Sequence, residues 1–176
     1  RANPYKDRDP RFYLTIVHNG MAWPSTKAVE IWEGGANGLP LTNATTTGYY
    51  LRKYVDKSIT FDAGSASAST NHNWILFRYA EVLLTYAEAR AELGELTQDD
   101  LNKTINLLRS RAGLPAMQLN PTADPVMQKA FPNISSTLQE IRRERRVELA
   151  LEGFRYDDLM RWKAGKLLEK EPEGLY

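Results

Sequence analysis

The period of hydrophobic positions changes near residue 74. Before that point the pattern is that of strands and loops. RFYLTIVHNG alternates, with Phe12, Leu14 and Ile16 on one side and Tyr13, Thr15 and Val17 on the other, and it closes on the turn pair Asn19-Gly20. GYYLRKYV, residues 48–55, is a second β-prone run rich in aromatics. The intervening WEGGANGLPLTNATTTG and the later GSASASTNHN read as surface loops, too loop-rich to bury a core alone and expected to pack against helices.

From Trp74 to Leu93 the spacing is helical. Tyr79, Leu83, Tyr86, Arg90 and Leu93 form one stripe, and Leu76, Ala80, Leu84, Ala87 and Ala91 a second. Gly94 stops this helix. The next has Thr97 as N-cap and Asp99 and Asp100 in its first turn, where negative charge suits the helix dipole. Leu101, Ile105, Leu108 and Ala112 form its core stripe, and Gly113 and Pro115 end it. Two helices joined by about four residues lie antiparallel. A polar connector follows over 116–136. Thr137 and Glu140 predict a capping box for a third helix ending at Gly153, and a short fourth helix runs from about Tyr156 to Ala164. Trp74 and Trp162 are expected on buried helix faces. The order AELGELTQDDLNKTINLLRSRAGLP looks like one tetratricopeptide unit. The expected fold is mainly α: tetratricopeptide-like helical hairpins at 74–115 and 137–176, with the irregular segment 1–73 packed on them as one domain.

Charge changes this picture in one place. In IRRERRVELALEGFRYDDLMRW, residues 141–162, the apolar face carrying Leu138, Ile141 and Leu149 also carries Arg145, Glu148 and Glu152. Charged groups leave water only when paired. Arg155, Asp157, Asp158 and Arg161 follow as partners. The predicted result is a structural ion network of Arg145, Glu148, Glu152, Arg155, Asp158 and Arg161. Arg145 in it is buried against acids of its own helix or of the 74–93 helix. A general acid needs a raised pKa, and a carboxylate beside Arg has a lowered one, so catalysis is not expected from these acids. Arg142, Arg143 and Arg146 cluster on the opposite, solvated face.

Composition removes other classes. The chain has 176 residues, 42% hydrophobic and 26% charged, with 23 basic against 22 acidic side chains and no cysteine. That balance gives no basis for a nucleic-acid partner. No apolar run approaches the ~18 residues that span a bilayer. Thiolate chemistry and Cys-ligated zinc are excluded, and the two histidines, His18 and His72, lack ligand spacing and read as surface residues. No metal or cofactor is expected, and no G-x-S-x-G, P-loop or dinucleotide fingerprint occurs. The start RANPYKDRDPR and the end EPEGLY read as the ends of a segment excised from a longer protein.

Five blocks in order carry a family resemblance: DPRF at Asp9–Phe12, TGYYLRKY at Thr47–Tyr54, RYAEVLLTYAEA at Arg78–Ala89, the LN and R-x-RAGL pattern at Leu101–Leu114, and ERR-x-ELA-x-EG-x-R-x-x-DL-x-RW at Glu144–Trp162. Together they resemble the SusD/RagB family, outer-membrane lipoproteins of Bacteroidetes that capture glycans for a TonB-dependent SusC-like transporter. Family members are considerably longer, and the lipidated cysteine and earlier helices are absent from this segment. The resemblance implies a non-enzymatic glycan-binding protein on the outer-membrane surface, held there only by a lipid anchor outside this segment. The alternative from the residues is a tetratricopeptide-type protein–protein interaction module.

Sugar rings need flat apolar faces, and their hydroxyls need polar neighbours. Trp23 and Trp32 lie in irregular, Pro/Gly-flanked sequence outside the family blocks and are the candidate glycan-binding residues. Tyr49 and Tyr50 read as core. Asn37, Asn43 and Asn71 are possible hydroxyl partners that nothing singles out. The adaptor reading predicts that both Trp23 and Trp32 are buried.

Overall fold

The computed structural model describes residues 3–23, 28–56 and 73–169. The chain divides into two compact units, with the boundary between Trp74 and Ile75. It is mainly helical: the described residues hold seven α-helices and one two-stranded sheet. His72, Asn71 and most of the GSASASTNHN loop lie outside the described residues.

In the first unit, the expected long strand is shorter and begins as a helical turn, α1 (Phe12–Thr15). Asp9 is the cause. Its Oδ1 accepts the Arg11 N–H at 2.9 Å and its carbonyl accepts the Phe12 N–H at 2.8 Å, so the chain turns where alternation predicts extension. Strand β1 (Ile16–His18) follows and pairs antiparallel with β2 (Tyr49–Leu51), with Val17 opposite Tyr50. The Asn19-Gly20 turn forms as expected: Met21 N–H donates to His18 O, and Gly20 sits at φ +77°. Contrary to expectation, this segment buries a small core of its own, made of Val17, Trp23, Val29 and Ile31. His18 is half-buried rather than superficial, stacked on Tyr5 at 4.2 Å and Phe12 at 5.6 Å.

The second unit begins with α2 (Tyr79–Glu92), five residues later than its periodicity predicts. Arg78 has extended backbone (φ −147°, ψ 154°), and its guanidinium is engaged by Glu148 and Glu152. Trp74 is therefore not on a helix face: it is 64% exposed and stacks on Tyr54 at 5.1 Å. Thr97 and Asp100 form a reciprocal capping box at the start of α3 (Gln98–Lys103). The single helix predicted here is broken at Thr104, whose hydroxyl donates to Asp100 O at 2.6 Å and bends the chain before α4 (Ile105–Arg111).

The connector holds an unpredicted helix, α5 (Pro125–Ala130). Asp124 caps it by accepting the Val126 and Met127 N–H groups, with Pro125 at the first helical position. Helix α6 (Ser136–Glu148) is capped by Ser135, not by Thr137 and Glu140. Thr137 Oγ1 instead accepts the Asn120 N–H, and Glu140 is taken by Arg109 and Arg143. Helix α7 (Arg155–Arg161) and a short 3-10 helix at Gly165–Leu168 complete the unit. Its main core joins Leu84, Ala87, Leu101, Ile105, Leu108, Ile141 and Leu149, each fully buried aliphatic side chain contributing about 1.5–3 kcal/mol. A second cluster gathers Met127, Phe131, Leu159 and Trp162.

Candidate functional site

A cleft of about 680 Å³ opens in the first unit, lined by Pro4, Tyr5, Asn19, Ile31, Trp32, Glu33, Leu39, Thr45, Thr46 and Gly48. Trp32 stands on a loop that the Gly/Asn-rich sequence folds into a compact clasp. Gly34 N–H donates to Leu39 O at 2.6 Å, Gly35 N–H to Trp32 O at 2.9 Å and Asn37 N–H to Glu30 O at 2.8 Å. The side chains close it further. Asn37 Oδ1 accepts the Glu30 N–H, Glu30 Oε2 accepts the Ala36 N–H, and Asn19 Oδ1 accepts the Ile31 N–H. Tyr50 Oη donates to Asn37 O at 2.6 Å, tying the clasp to the second strand.

Two glycines make this packing possible. A Cβ on Gly38 would lie 2.0 Å from Trp32 O and 2.6 Å from Ile31 O; one on Gly35 would lie 2.8 Å from Glu30 O. No side chain fits at either position. The backbone beneath Trp32 is thus held from below, while its indole is 52% exposed. Tyr5 closes another side of the cleft. Burial, reinforced by the neighbouring Tyr49 phenol and opposed by the Asn19 backbone N–H, raises its pKa, so it stays a neutral hydrogen-bonding phenol at physiological pH.

The charged seam of the second unit has a different character. Arg145 is buried, and its Nε lies 2.9 Å from both oxygens of Asp158 on α7, not from an acid of α2 or α6; on α2 it meets only the Thr85 hydroxyl. Arg161 shares Asp158 and forms a double hydrogen bond with Glu88, at 2.7 and 2.6 Å. The Trp162 indole N–H donates to the same Glu88. Glu148 and Glu152 are held by Arg78, at 2.7 Å each. Burial works against the charge on Arg78, and the hydrogen bonds to Glu152 and Glu148 outweigh it, raising its pKa. Arg155 departs from the expected network. Burial and the like charge of Arg146 lower its pKa, and its guanidinium lies over the Trp162 ring at 5.9 Å. Arg142, expected in solvent, is buried, paired with Glu92 at 2.8 Å and stacked on Phe131 and Trp162. Every acid of this seam named here has an Arg partner, an arrangement suited to holding helices together rather than to proton transfer.

The SusD family's sequence model matches residues 1–174. The chain belongs to the SusD family. It is 35% identical over 105 residues to SusD-like protein P2 of Formosa agariphila, covering 58% of this chain and 19% of that protein. It is 39% identical over 90 residues to SusD-like protein P38 of the same organism, covering 51% and 17%. The crystal structure of a SusD-like protein from Bacteroides fragilis superimposes with a TM-score of 0.68 at 33% identity, over 92% of this chain and 29% of that one. The SusD-family segment therefore spans less than a third of the relatives it matches. The tetratricopeptide-like helical fold class expected from the sequence is that of this structural neighbour. SusD-family proteins are generally glycan-binding surface proteins, a family of binders and not of enzymes.

The two tryptophans of the SusD-family segment separate on structure. Trp32 lines the cleft, whereas Trp23 is 6% exposed, packed with Val17, Val29 and Ile31 under the Arg52 guanidinium. Asn37 is occupied as a loop lock. Sequence reasoning missed Tyr5, Glu33, Thr45 and Thr46 as cleft residues; only the polar, Thr-rich run at 42–47 signalled any of them. Among the described residues no cluster of three His, Cys, Asp or Glu side chains fit to hold a metal occurs, and no helix is long and apolar enough to cross a membrane.

Proposed function

We propose that this segment supplies a glycan-contacting surface to a non-enzymatic SusD-type binding protein, with Trp32 as the stacking platform. The observation that carries the reading is the pairing of a half-exposed indole with a clasp that fixes the backbone under it, at the edge of a cleft large enough for sugar rings. A pre-positioned ring loses little freedom when a pyranose face settles on it. Thr45, Thr46, Glu33 and the Tyr5 phenol supply hydrogen-bonding groups around it. Trp23 acts from beneath, as part of the small core that holds the turn.

In this reading the complete protein sits on the outer-membrane surface through a lipid anchor and passes glycan to a SusC-like TonB-dependent transporter. Family membership supports that placement. The test is affinity electrophoresis of the complete gene product against a polysaccharide panel. Retardation on at least one glycan, reduced in Trp32→Ala, is expected. Retardation unchanged in that variant refutes the site, and no retardation on any glycan refutes the function. The adaptor alternative predicts both Trp23 and Trp32 buried and no polysaccharide binding; Trp23 is buried and Trp32 is half exposed, and the same gels decide the rest.

A further inference from the structure

The lining of the cleft carries one ionisable carboxylate and no lysine or arginine among the described residues. Glu33 is the acid, exposed at the cleft beside the Trp32 platform. Its neighbour Glu30 is turned into the clasp, where it accepts the Ala36 N–H. The remaining polar groups are the Thr45 and Thr46 hydroxyls, the Asn19 amide and the Tyr5 phenol, all neutral. Arg8 adjoins the lining, its Nε donating to Pro4 O at 2.9 Å.

We infer that the cleft selects neutral glycans and discriminates against uronate- and sulfate-bearing ones, with Glu33 as the specificity-determining residue. This rests on the cleft being the glycan site. A polyanionic chain laid across Trp32 brings its charges against Glu33, with no cation among the described lining residues to compensate. Like charges at close range across a desolvated contact repel, and this is how a site rejects one ligand while accepting its uncharged analogue. Glu33 also offers two acceptor oxygens to the vicinal hydroxyls of a neutral sugar.

The experiment uses the complete gene product and matched ligands, so that only charge differs. Each neutral polysaccharide that retains the protein is compared, on beads at physiological salt, with its own carboxymethylated derivative, alongside alginate and polygalacturonate. Derivatised polymer is expected to bind about tenfold more weakly. Glu33→Gln should close most of that gap, read as the ratio of derivatised to neutral binding within the same variant, so that any loss of a Glu33 hydrogen bond to the sugar cancels. Trp32-dependent binding to a carboxylated or sulfated glycan as tight as to a neutral one overturns the inference and leaves the glycan site standing. So does anionic binding that is lost in Arg8→Gln. Absence of any Trp32-dependent retention, neutral or charged, removes the cleft as the site and this inference with it.

Discussion

The two units of this chain achieve order by opposite means. In the helical unit, residues far apart in sequence are joined through charge: Arg78 to Glu148 and Glu152, Arg109 to Glu140 and Glu144, Arg161 to Glu88. In the strand-and-loop unit, residues close in sequence are joined through backbone hydrogen bonds, and two glycines let carbonyls approach where a side chain would not fit. The first arrangement turns most of its charge inward, with Glu88, Glu144, Glu148 and Asp158 buried against arginines. The second fixes the main chain and leaves the Trp32 side chain half exposed above it. The densest charged motif of the sequence and the open cleft therefore lie in different units. The dense Arg/Glu motif belongs to the scaffold, while the plain Gly/Asn/Thr loop presents the cleft.

Several substitutions test that contrast. The largest expected effect is on stability. Trp23→Ala removes a buried indole from the small core of the first unit and should cost about 3–5 kcal/mol in denaturant unfolding. An effect under about 1 kcal/mol would mean that this unit is not held by that core. Arg145→Met leaves Asp158 buried with one cation fewer and should cost about 3–5 kcal/mol. Adding Asp158→Leu should recover much of it, and neither change should alter glycan retention while the protein is folded. If the double variant is as unstable as the sum of the two singles, the pair is not an ion-pair unit.

Gly38→Ala comes next. The added methyl meets the Trp32 carbonyl, so about 1–3 kcal/mol of stability should be lost together with a clear drop in retention on polysaccharide gels. Stability lost with retention intact would separate the clasp from binding. Trp32→Ala should show the converse: retention falls by a factor worth about 0.5–1.5 kcal/mol or more, and the unfolding midpoint barely moves.

The smallest effect is a pH response at the start of α3. The Thr97 hydroxyl and backbone N–H donate to Asp100 and hold its carboxyl below the ordinary aspartate range. Its folded pKa being depressed, its contribution is full above the unfolded-state value and fades as pH falls through the folded one. Protection of the Asp100 amide, its exchange relative to the intrinsic rate at each pH, should fall on acidification below the usual aspartate range, and Asp100→Asn should remove that pH dependence. Protection that is flat with pH in the wild type would show that the capping box does not depend on the charge.

Much of the helical unit was legible in the sequence because periodicity and burial agree there: Leu84, Leu101, Ile105, Leu108 and Ile141 all fall in the core. The ends of elements were less legible. Thr104 breaks a helix through a hydroxyl bond to the Asp100 carbonyl, and the Thr137 hydroxyl accepts the Asn120 N–H, neither of which a spacing rule records. The demand for buried ion pairing was readable from charges on an apolar face, but the choice of partners was not. Arg78 and Arg142 are brought in by tertiary packing, and Asp158 reaches Arg145 from the next helix. For the cleft, sequence pointed to two tryptophans in irregular chain and had no means of ranking them. Which of the two faces solvent is decided by the turn at Asn19-Gly20 and by the clasp, both sums of contacts between short segments.

The close approach at Gly35 and Gly38 has a consequence for how this surface can be altered. Because the clasp is closed by main-chain atoms and by the side chains of Asn19, Glu30, Asn37 and Tyr50, its hydrogen bonds do not use the side chains at 32, 33 and 39 that face the cleft. Those three positions form an interchangeable set on a fixed mount. A library randomised at Trp32, Glu33 and Leu39 and held constant at the two glycines and Asn37 would sample new ligand preferences without reopening the folding problem. The reverse library would sample almost only misfolded loops.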